Sequence, residues 1–265
     1  MRHNARQPPS VVERVLDVLG AFTAERPELT LSELSRRAGL PLSTTHRIAG
    51  ELVRRGALAR DEHGRFRVGL WLWEVASLAP HDAELRESAM PFLEDLYEAT
   101  HQNVQLAVLD APEVVYVERI SGRGAVGIRS RPGGRLPVHA TGVGLVLLAH
   151  APAEVQEEAL AAPLKRYSAH TIASADRLRR VLADVRRDGY AISDRQIEPD
   201  AVSVAAPVYG RDDAVLAAIS VVVPVEGAEP RTLVPAVVAA ARGISRVLGA
   251  PRALRVSGDA RRETH

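Results

Sequence analysis

Residues 30–68 read TLSELSRRAGLPLSTTHRIAGELVRRGALARDEHGRFRV. Thr30-Leu-Ser-Glu33 is a capping box, in which a hydroxyl and a carboxylate each satisfy a free backbone N–H at a helix start. Gly39 supplies a turn, and the helical period that follows ends at Gly56. The turn Asp61-Glu62-His63-Gly64 then separates two short alternating runs, which predicts a two-stranded hairpin. Helix, turn, helix and hairpin in this order predict a winged helix-turn-helix, which places a helix in the DNA major groove.

A further helix is expected upstream of this stretch. Ser10-Val-Val-Glu13 is a second capping box. Apolar residues then recur at helical spacing and predict the buried face of this helix: Val11, Val12, Val15, Leu19 and Phe22.

The helix after Gly39 carries the expected DNA contacts. Ile48, Ala49, Leu52 and Val53 predict its buried stripe, so short hydroxyls, a histidine and arginines fall on the opposite face. The candidate DNA-binding residues are Ser43, Thr44, Thr45, His46, Arg47 and Arg54 on the helix, with Arg65 and Arg67 on the hairpin. The alternative is an ordinary solvated face, and the two hairpin arginines either reach phosphate or the minor groove or are simply exposed.

Composition and charge agree with nucleic-acid contact by one end of the chain. Residues 1–67 hold 12 Arg and 8 Asp or Glu, whereas the rest holds 22 Lys or Arg and 25 Asp or Glu. A basic N-terminal third followed by a mildly acidic body fits DNA binding by that third. There is no cysteine, which excludes disulfides and thiolate metal sites. No signal peptide and no membrane span are expected, so a cytoplasmic protein is predicted.

The rest of the chain predicts a linker and a second domain. Residues 70–101 are helical in pattern and are interrupted by Pro80 and Pro91, and their apolar residues face either a second subunit or the following domain. After His101, strands joined by hairpins alternate with helices, which predicts an α+β domain on an antiparallel sheet. The expected boundaries are a winged helix-turn-helix at 8–69, linker helices at 70–101, the α+β domain at 102–250 and a disordered tail at 251–265.

The sequence contains no strong motif for catalysis, metal binding or cofactor binding. Gly122-Arg-Gly124-Ala-Val-Gly127 matches a dinucleotide fingerprint, but the following IRSRPGGR cannot be the helix that such a site requires, so a mobile loop is expected. The histidines show no metal-ligand spacing, and no nucleophile elbow is present. We therefore expect no catalytic residues, no metal and no cofactor. Leu136-Pro-Val-His-Ala-Thr-Gly-Val-Gly144 opens onto a helix whose free N–H groups suit a small anion, although its glycines equally suit tight packing.

The chain as a whole resembles the IclR family of bacterial transcriptional regulators. The resemblance lies in residues 31–58, in the hairpin ending Phe-Arg-Val-Gly-Leu70, and in four C-terminal segments: LPVHATGVG (136–144), GYAISD (189–194), VAAPVYG (204–210) and AAISVVVP (217–224). It implies a winged helix-turn-helix joined by a helical linker to a GAF-like effector-binding domain. It also implies a homodimer, often a dimer of dimers, that controls operons for the catabolism of small carbon compounds.

The resemblance also implies an effector pocket between the 136–144 turn and the inner face of the sheet. Its expected lining is Leu136, His139, Gly142, Val143, Asp194, Ala201, Ser203, Ser220 and Val222. Leu145 stands where the family often has lysine, and Gln196 where it often has glutamate. These departures suggest a more apolar effector or one bound differently. Arg129, Arg131 and Arg135 either neutralise an acidic effector or face solvent.

The leading hypothesis is thus a ligand-responsive regulator, more specifically a repressor of a catabolic operon. Its partners would be double-stranded operator DNA, a small organic acid or aromatic effector, and a second copy of the chain. An enzyme or ligand-binding protein whose N-terminal helices serve assembly is the alternative, and it would need a convergent catalytic set. A protein-binding winged helix would need an acidic face on the third helix, whereas this face is basic.

Overall fold

The computed structural model describes residues 9–23, 25–76, 78 and 80–253, without the side chains of residues 80–83. The chain divides into two compact units at residue 83, inside the expected linker. In the described part of the chain, no helix is long and apolar enough to cross a membrane.

The first unit is a winged helix-turn-helix. Its elements are α1 (Val11–Gly20), β1 (Glu28–Leu29), α2 (Leu31–Ala38), α3 (Leu42–Arg54), β2 (Leu58–Arg60), β3 (Phe66–Val68) and α4 (Leu70–Ala76). Both capping boxes form as the sequence predicts, and Gly39 ends α2 with a φ of 66°. Strand β1 pairs antiparallel with β3 and extends the hairpin to three strands. The sequence analysis missed β1 because it is only two residues long.

The core of this unit is built by one residue in each of several elements. Val18, Leu34, Ile48, Leu58 and Phe66 are all buried in one cluster. The expected face of α1 was partly wrong: Val11 and Val12 are 61% and 67% exposed, whereas Val18 is buried.

The second unit is an antiparallel sheet covered by helices on both faces. Its helices are α5 (Pro80–Thr100), α6 (Gly142–His150), α7 (Ala153–Ala161), α8 (Ala175–Asp188) and α9 (Pro230–Val247). Its strands are β4 (Asn103–Asp110), β5 (Glu113–Ile120), β6 (Arg135–Pro137), β7 (Ala191–Asp194), β8 (Ala201–Tyr209) and β9 (Val215–Pro224), in the sheet order β6-β5-β4-β9-β8-β7. The α+β expectation is confirmed, whereas β6, α7 and the 3₁₀ turn Val138–Ala140 were not foreseen.

Alternation along the strands divides the core into two layers. On one face, residues such as Ala107, Ala205 and Ala218 pack under α6 and α8. On the other face, Leu106, Val204 and Ile219 pack against α5 and α9. Helix α6 is apolar on every side and almost wholly buried, and Thr141 caps it by accepting the Gly144 N–H at 3.2 Å.

The expected linker is shared between the two units. In α5, Leu85, Leu93 and Leu96 are buried in the core of the second unit, so this helix packs on its own domain. The side chains of α4 behave differently, since Leu70 and Trp73 are 70% and 68% exposed. The expected domain boundaries at residues 69 and 101 stay predictions.

The expected tail was partly wrong. Residues 251–253 are helical, the Arg252 N–H donates to Asp213 Oδ1 at 2.9 Å, and the Arg252 guanidinium lies 4.7 Å from the Tyr209 ring centre. Residues 254–265 lie outside the described residues.

The two-layer core yields a stability prediction on one strand. Replacing Ile219, which is fully buried in β9, by alanine should lower the free energy of unfolding by about 2–5 kcal/mol because it leaves a cavity. Leu216→Ala in the same strand, at a side chain 41% exposed, should change it by less than about 1 kcal/mol. Urea denaturation followed by circular dichroism measures both. Equal losses would contradict the assignment of strand faces.

Candidate functional sites

Helix α3 presents a polar face to solvent. Ser43, His46, Arg47 and Arg54 are exposed on it, while Ile48 and Ala49 are buried on the opposite side. His46 and Arg47 have no hydrogen-bond or ionic partner among the described residues. Arg54 forms an ion pair with Glu51 one turn earlier. The most available groups on this face are therefore His46 and Arg47.

Thr45 does not belong to that face. Its side chain is 0% exposed, and its hydroxyl donates to the Pro41 carbonyl at 3.1 Å. Its position puts it with Ile48 and Ala49 on the inner side of the helix. Including Thr45 among the DNA contacts was wrong, because a fully buried hydroxyl cannot reach a base. Thr44 is half-buried and stays a candidate.

The β2–β3 hairpin is held by its own turn. Asp61 accepts the Arg65 N–H on its side chain at 2.7 Å and donates its own N–H to the Arg65 carbonyl at 2.9 Å. Arg65 lies 3.7 Å from a Glu28 carboxylate oxygen, so β1 partly neutralises it. Arg67 is exposed and has no ionic partner among the described residues.

A pocket lies on the α6 side of the large sheet. It encloses about 410 Å³ of empty space, part of it open to solvent. Its floor comes from residues of all six strands, β4 to β9, and its walls from the start of α6, the 121–134 loop and the 195–200 loop. The lining is Gln105, Tyr116, Ile128, Ser130, Leu136, Ala140, Thr141, Gly142, Val143, Ser193, Gln196, Ile197, Glu198, Ala201, Ser203, Ser220 and Val222.

Seven of the nine expected pocket residues line this cavity: Leu136, Gly142, Val143, Ala201, Ser203, Ser220 and Val222. Strand pairing explains their convergence. Ser203 pairs with Val222 and also with Ser193, and directly paired residues share one face of a sheet.

His139 and Asp194 do not line the pocket. The His139 ring is buried elsewhere, with Nε2 3.0 Å from the Lys165 carbonyl. Asp194 follows Ser193 in β7 and so points to the opposite face, where both its oxygens accept from Arg195 at 2.8 and 2.9 Å. This ion pair lowers the pKa of the Asp194 carboxyl. The residue that faces the pocket is therefore its neighbour Ser193.

The start of α6 packs closely on the floor. A Cβ added at Gly142 would lie 2.6 Å from Ser203 Oγ, and one at Gly144 would lie 2.4 Å from the Val138 carbonyl oxygen. Close packing therefore requires both glycines. Gly142 and Val143 line the cavity, and their backbone N–H groups, at the first two positions of α6, have no intrahelical acceptor.

The pocket floor contains a buried polar group that the sequence analysis missed. Gln105 on β4 is 3% exposed; its amide donates to Ser130 Oγ at 2.6 Å and accepts the Ser220 hydroxyl at 3.2 Å. A polar residue between Val104 and Leu106 in an otherwise apolar strand was the signal that could have identified Gln105 as a pocket residue. Nine of the residues that line the pocket carry polar side chains, so its walls are not apolar. The expectation of a more apolar or differently bound effector stays a prediction.

The glycine-rich 121–134 segment is a loop without a helix, as its sequence indicated. Asn103 donates to the Val126 carbonyl at 2.8 Å, and the Arg119 guanidinium donates to the Ser130 carbonyl at 2.7 Å. Arg129 and Arg135 are exposed, and none of Arg129, Arg131 and Arg135 lines the pocket.

Charge in the pocket comes from one side chain. Glu198 is the single charged residue among the lining residues, and its Oε1 accepts the Arg129 N–H at 2.8 Å. Burial raises the pKa of the Tyr116 phenol well above its ordinary value, and the negative charge of Glu198 raises it further. Tyr116 therefore stays a neutral hydroxyl in the pocket wall.

The contact between Gly142 and Ser203 yields a prediction. Gly142→Ala should lower the free energy of unfolding by about 1–3 kcal/mol because its Cβ overlaps Ser203 Oγ. Adding Ser203→Ala removes that oxygen, so the double variant should regain about 1 kcal/mol relative to the sum of the single changes. Thermal and urea unfolding of the four proteins measure this coupling. Strict additivity would show that the close approach is absent.

Comparison with known proteins places both units in one family. Residues 11–62 match the IclR helix-turn-helix domain, and residues 78–246 match the C-terminal domain of bacterial IclR transcriptional regulators. The chain is 35% identical over 215 residues to the HTH-type transcriptional regulator XynR of Escherichia coli, covering 79% of this chain and 84% of XynR. It is 31% identical over 223 residues to the E. coli HTH-type transcriptional regulator KdgR, covering 83% and 84%.

A solved structure agrees over nearly the whole length. It is an IclR homolog from Microbacterium hydrocarbonoxydans complexed with 4-hydroxybenzoate, 40% identical, with a TM-score of 0.86 and coverage of 90% of this chain and 99% of that one. XynR and KdgR are named as transcriptional regulators and not as enzymes. The chain belongs to the IclR family of bacterial transcriptional regulators.

Proposed function

We propose that this protein is a repressor of a catabolic operon that releases its operator DNA when a small organic or aromatic acid binds the pocket of the second unit. The observation that carries the proposal is the pairing, in one chain, of an unpartnered basic helix face with a walled polar pocket. Such a regulator would act in the cytoplasm, where bacterial operators lie.

The DNA contacts divide by chemistry. Ser43, Thr44, His46 and Arg47 would contact base edges from α3, because an exposed helix face of this kind fits the major groove. Arg54, Arg65 and Arg67 would contact phosphate, which fixes the register without reading sequence. Since Arg54 and Arg65 have acidic partners in the protein, Arg67 is expected to contribute more to affinity than either.

The effector class follows from the pocket and from one relative. The related Microbacterium hydrocarbonoxydans protein holds 4-hydroxybenzoate. In this chain, the free N–H groups of Gly142 and Val143 at the start of α6 offer a carboxylate two donors, and the helix dipole favours a negative charge there. Ser203 and Ser220 supply hydroxyl groups beside them.

Control of DNA binding requires the ligand to prefer one protein state. An effector shifts an equilibrium only by its difference in affinity for two arrangements. We propose that two arrangements of a homodimer differ in DNA affinity, and that residues 70–101 transmit the change. A dimer of dimers would present two such pairs to DNA.

Exposed apolar side chains support the homodimer. Among the described residues, twelve large apolar side chains are exposed, and ten of them lie between residues 11 and 78. Five belong to α4 and the turn after it: Leu70, Trp71, Trp73, Val75 and Leu78. Contiguous exposed apolar residues mark protein interfaces. A second copy suits this surface, because paired helix-turn-helix units read two half-sites of an operator.

DNA binding is tested on α3. Arg47→Ala should weaken binding to the operator about ten-fold or more, because it removes a major-groove contact worth about 1–3 kcal/mol. Gel shifts with DNA from upstream of its own or a neighbouring gene measure this, with Arg177→Ala on α8 as the matched control. Adding 4-hydroxybenzoate should release wild-type protein from the DNA. Unchanged binding by the Arg47 variant would remove α3 from the interface.

The dimer is tested on α4. Trp73→Asp should shift the protein toward a monomer, because it places a charge in a surface that we propose becomes buried. Light scattering after size exclusion measures the mass and also distinguishes dimer from tetramer. Leu216→Asp, at an exposed apolar residue of β9, is the control and should leave the mass unchanged. A Trp73 variant with the wild-type mass would place the interface elsewhere.

A further inference from the structure

We propose that the pocket admits an effector with only one negative charge, and that Glu198 is the residue that rejects a second. This inference rests on the proposed effector-binding function and narrows its ligand to a monocarboxylate that presents a neutral hydrogen-bond donor to Glu198. Dicarboxylates and phosphate esters of similar size would be excluded.

The lining of the pocket is the first support. Of its seventeen residues, Glu198 alone carries a charge, and no lysine, arginine or histidine is among them. At the start of α6 in this wall, backbone N–H groups and not a full positive charge would meet an anion. A helix terminus carries about half a unit charge, which suits one carboxylate and not two.

Glu198 is fixed in its position. Its Oε1 accepts the Arg129 N–H at 2.8 Å, whereas Oε2 has no hydrogen-bond partner among the described residues. The segment before it is anchored as well, because Ser168 donates to the Arg195 carbonyl and Thr171 to the Gln196 carbonyl, both at 2.6 Å. The Arg129 N–H thus holds one carboxylate oxygen at the pocket wall, and Oε2 remains available to a ligand donor.

No arginine lines the pocket beside this charge. Arg195 is engaged by both oxygens of Asp194 on the other face of the sheet. By register, Arg119 lies next to Gln105. Its two terminal nitrogens donate to the Ser130 carbonyl, Asn103 Oδ1 and Ser121 Oγ at 2.7–3.1 Å, whereas its Nε is buried without a hydrogen-bond partner among the described residues. Arg119 therefore holds the covering loop and does not present itself to the ligand.

The effect of Glu198 on Tyr116 is the second support. These two residues line the same cavity, and the negative charge of Glu198 acts with burial to raise the pKa of the Tyr116 phenol. A charge that opposes the ionisation of one pocket group also opposes the entry of a second anionic group on a ligand. A phenolic or alcoholic hydroxyl is instead attracted, since it can donate to the carboxylate.

Three para-substituted benzoates separate charge from size. Isothermal titration calorimetry would compare 4-hydroxybenzoate, terephthalate and monomethyl terephthalate, the last two having nearly the same size but two charges and one. Wild-type protein should bind terephthalate at least about ten-fold more weakly than the monomethyl ester, because two like charges a few ångströms apart repel at this strength even when well screened.

The Glu198→Gln variant tests the assigned residue. Its amide oxygen can still accept the Arg129 N–H, so the contact between residue 198 and the 121–134 loop and the thermal stability should both persist. The preference for monomethyl terephthalate over terephthalate should fall to about three-fold or less. Glu158→Gln, at an exposed residue of α7, should keep the wild-type ratio. Equal binding of the two terephthalates by wild type, or an unchanged ratio in Glu198→Gln, would overturn the inference. If none of the three acids binds although DNA binding persists, the proposed effector class itself fails and the inference falls with it.

Discussion

The second unit depends on one constraint: a six-stranded antiparallel sheet buried on both faces. Because α6 and α8 cover one face and α5 and α9 the other, an unpaired polar side chain is costly on either face. Polar residues on the inner strands must therefore lie at the cavity or bond one another. Gln105 and Ser220 do both: they bond each other, and Gln105 also bonds Ser130 of the covering loop, so the floor of the pocket is held without a ligand.

The same constraint explains how far the sequence predicted the site. Capping boxes, helical spacing and the glycine turns are local signals, so the helix-turn-helix and the α6 turn followed from them. Side chains alternate between the two faces along each strand, but the register with the neighbouring strand decides which of the two sets points into the pocket. Ser193 and Asp194 are adjacent in β7, and only the pairing of Ser193 with Ser203 shows which of them faces the pocket. The family motif therefore predicted Asp194 as a pocket residue, whereas its neighbour Ser193 lines the pocket.

Thr45 failed for a related reason. A hydroxyl at the start of a basic helix is a plausible DNA contact by residue type, but one residue on a helix turns the side chain by about 100°. Thr45 therefore falls with Ile48 and Ala49, while His46 and Arg47 face solvent. Elements of two or three residues, such as β1 and β6, carry too little pattern to be found alone. They exist because a longer neighbouring strand offers them a hydrogen-bonding edge.

The two sites handle charge in opposite ways, and this difference has a physical purpose. DNA carries a dense row of phosphates, so exposed arginines such as Arg47 and Arg67, where they contact DNA as proposed, would gain affinity at little desolvation cost. A buried arginine in the pocket would instead bind many metabolic anions tightly, and it would need a carboxylate partner when the pocket is empty. Backbone N–H groups and hydroxyls avoid both costs, since they remain neutral without ligand. If the proposed effector site is correct, neutral donors together with one carboxylate in the same pocket would select by the arrangement of charge more than by its amount.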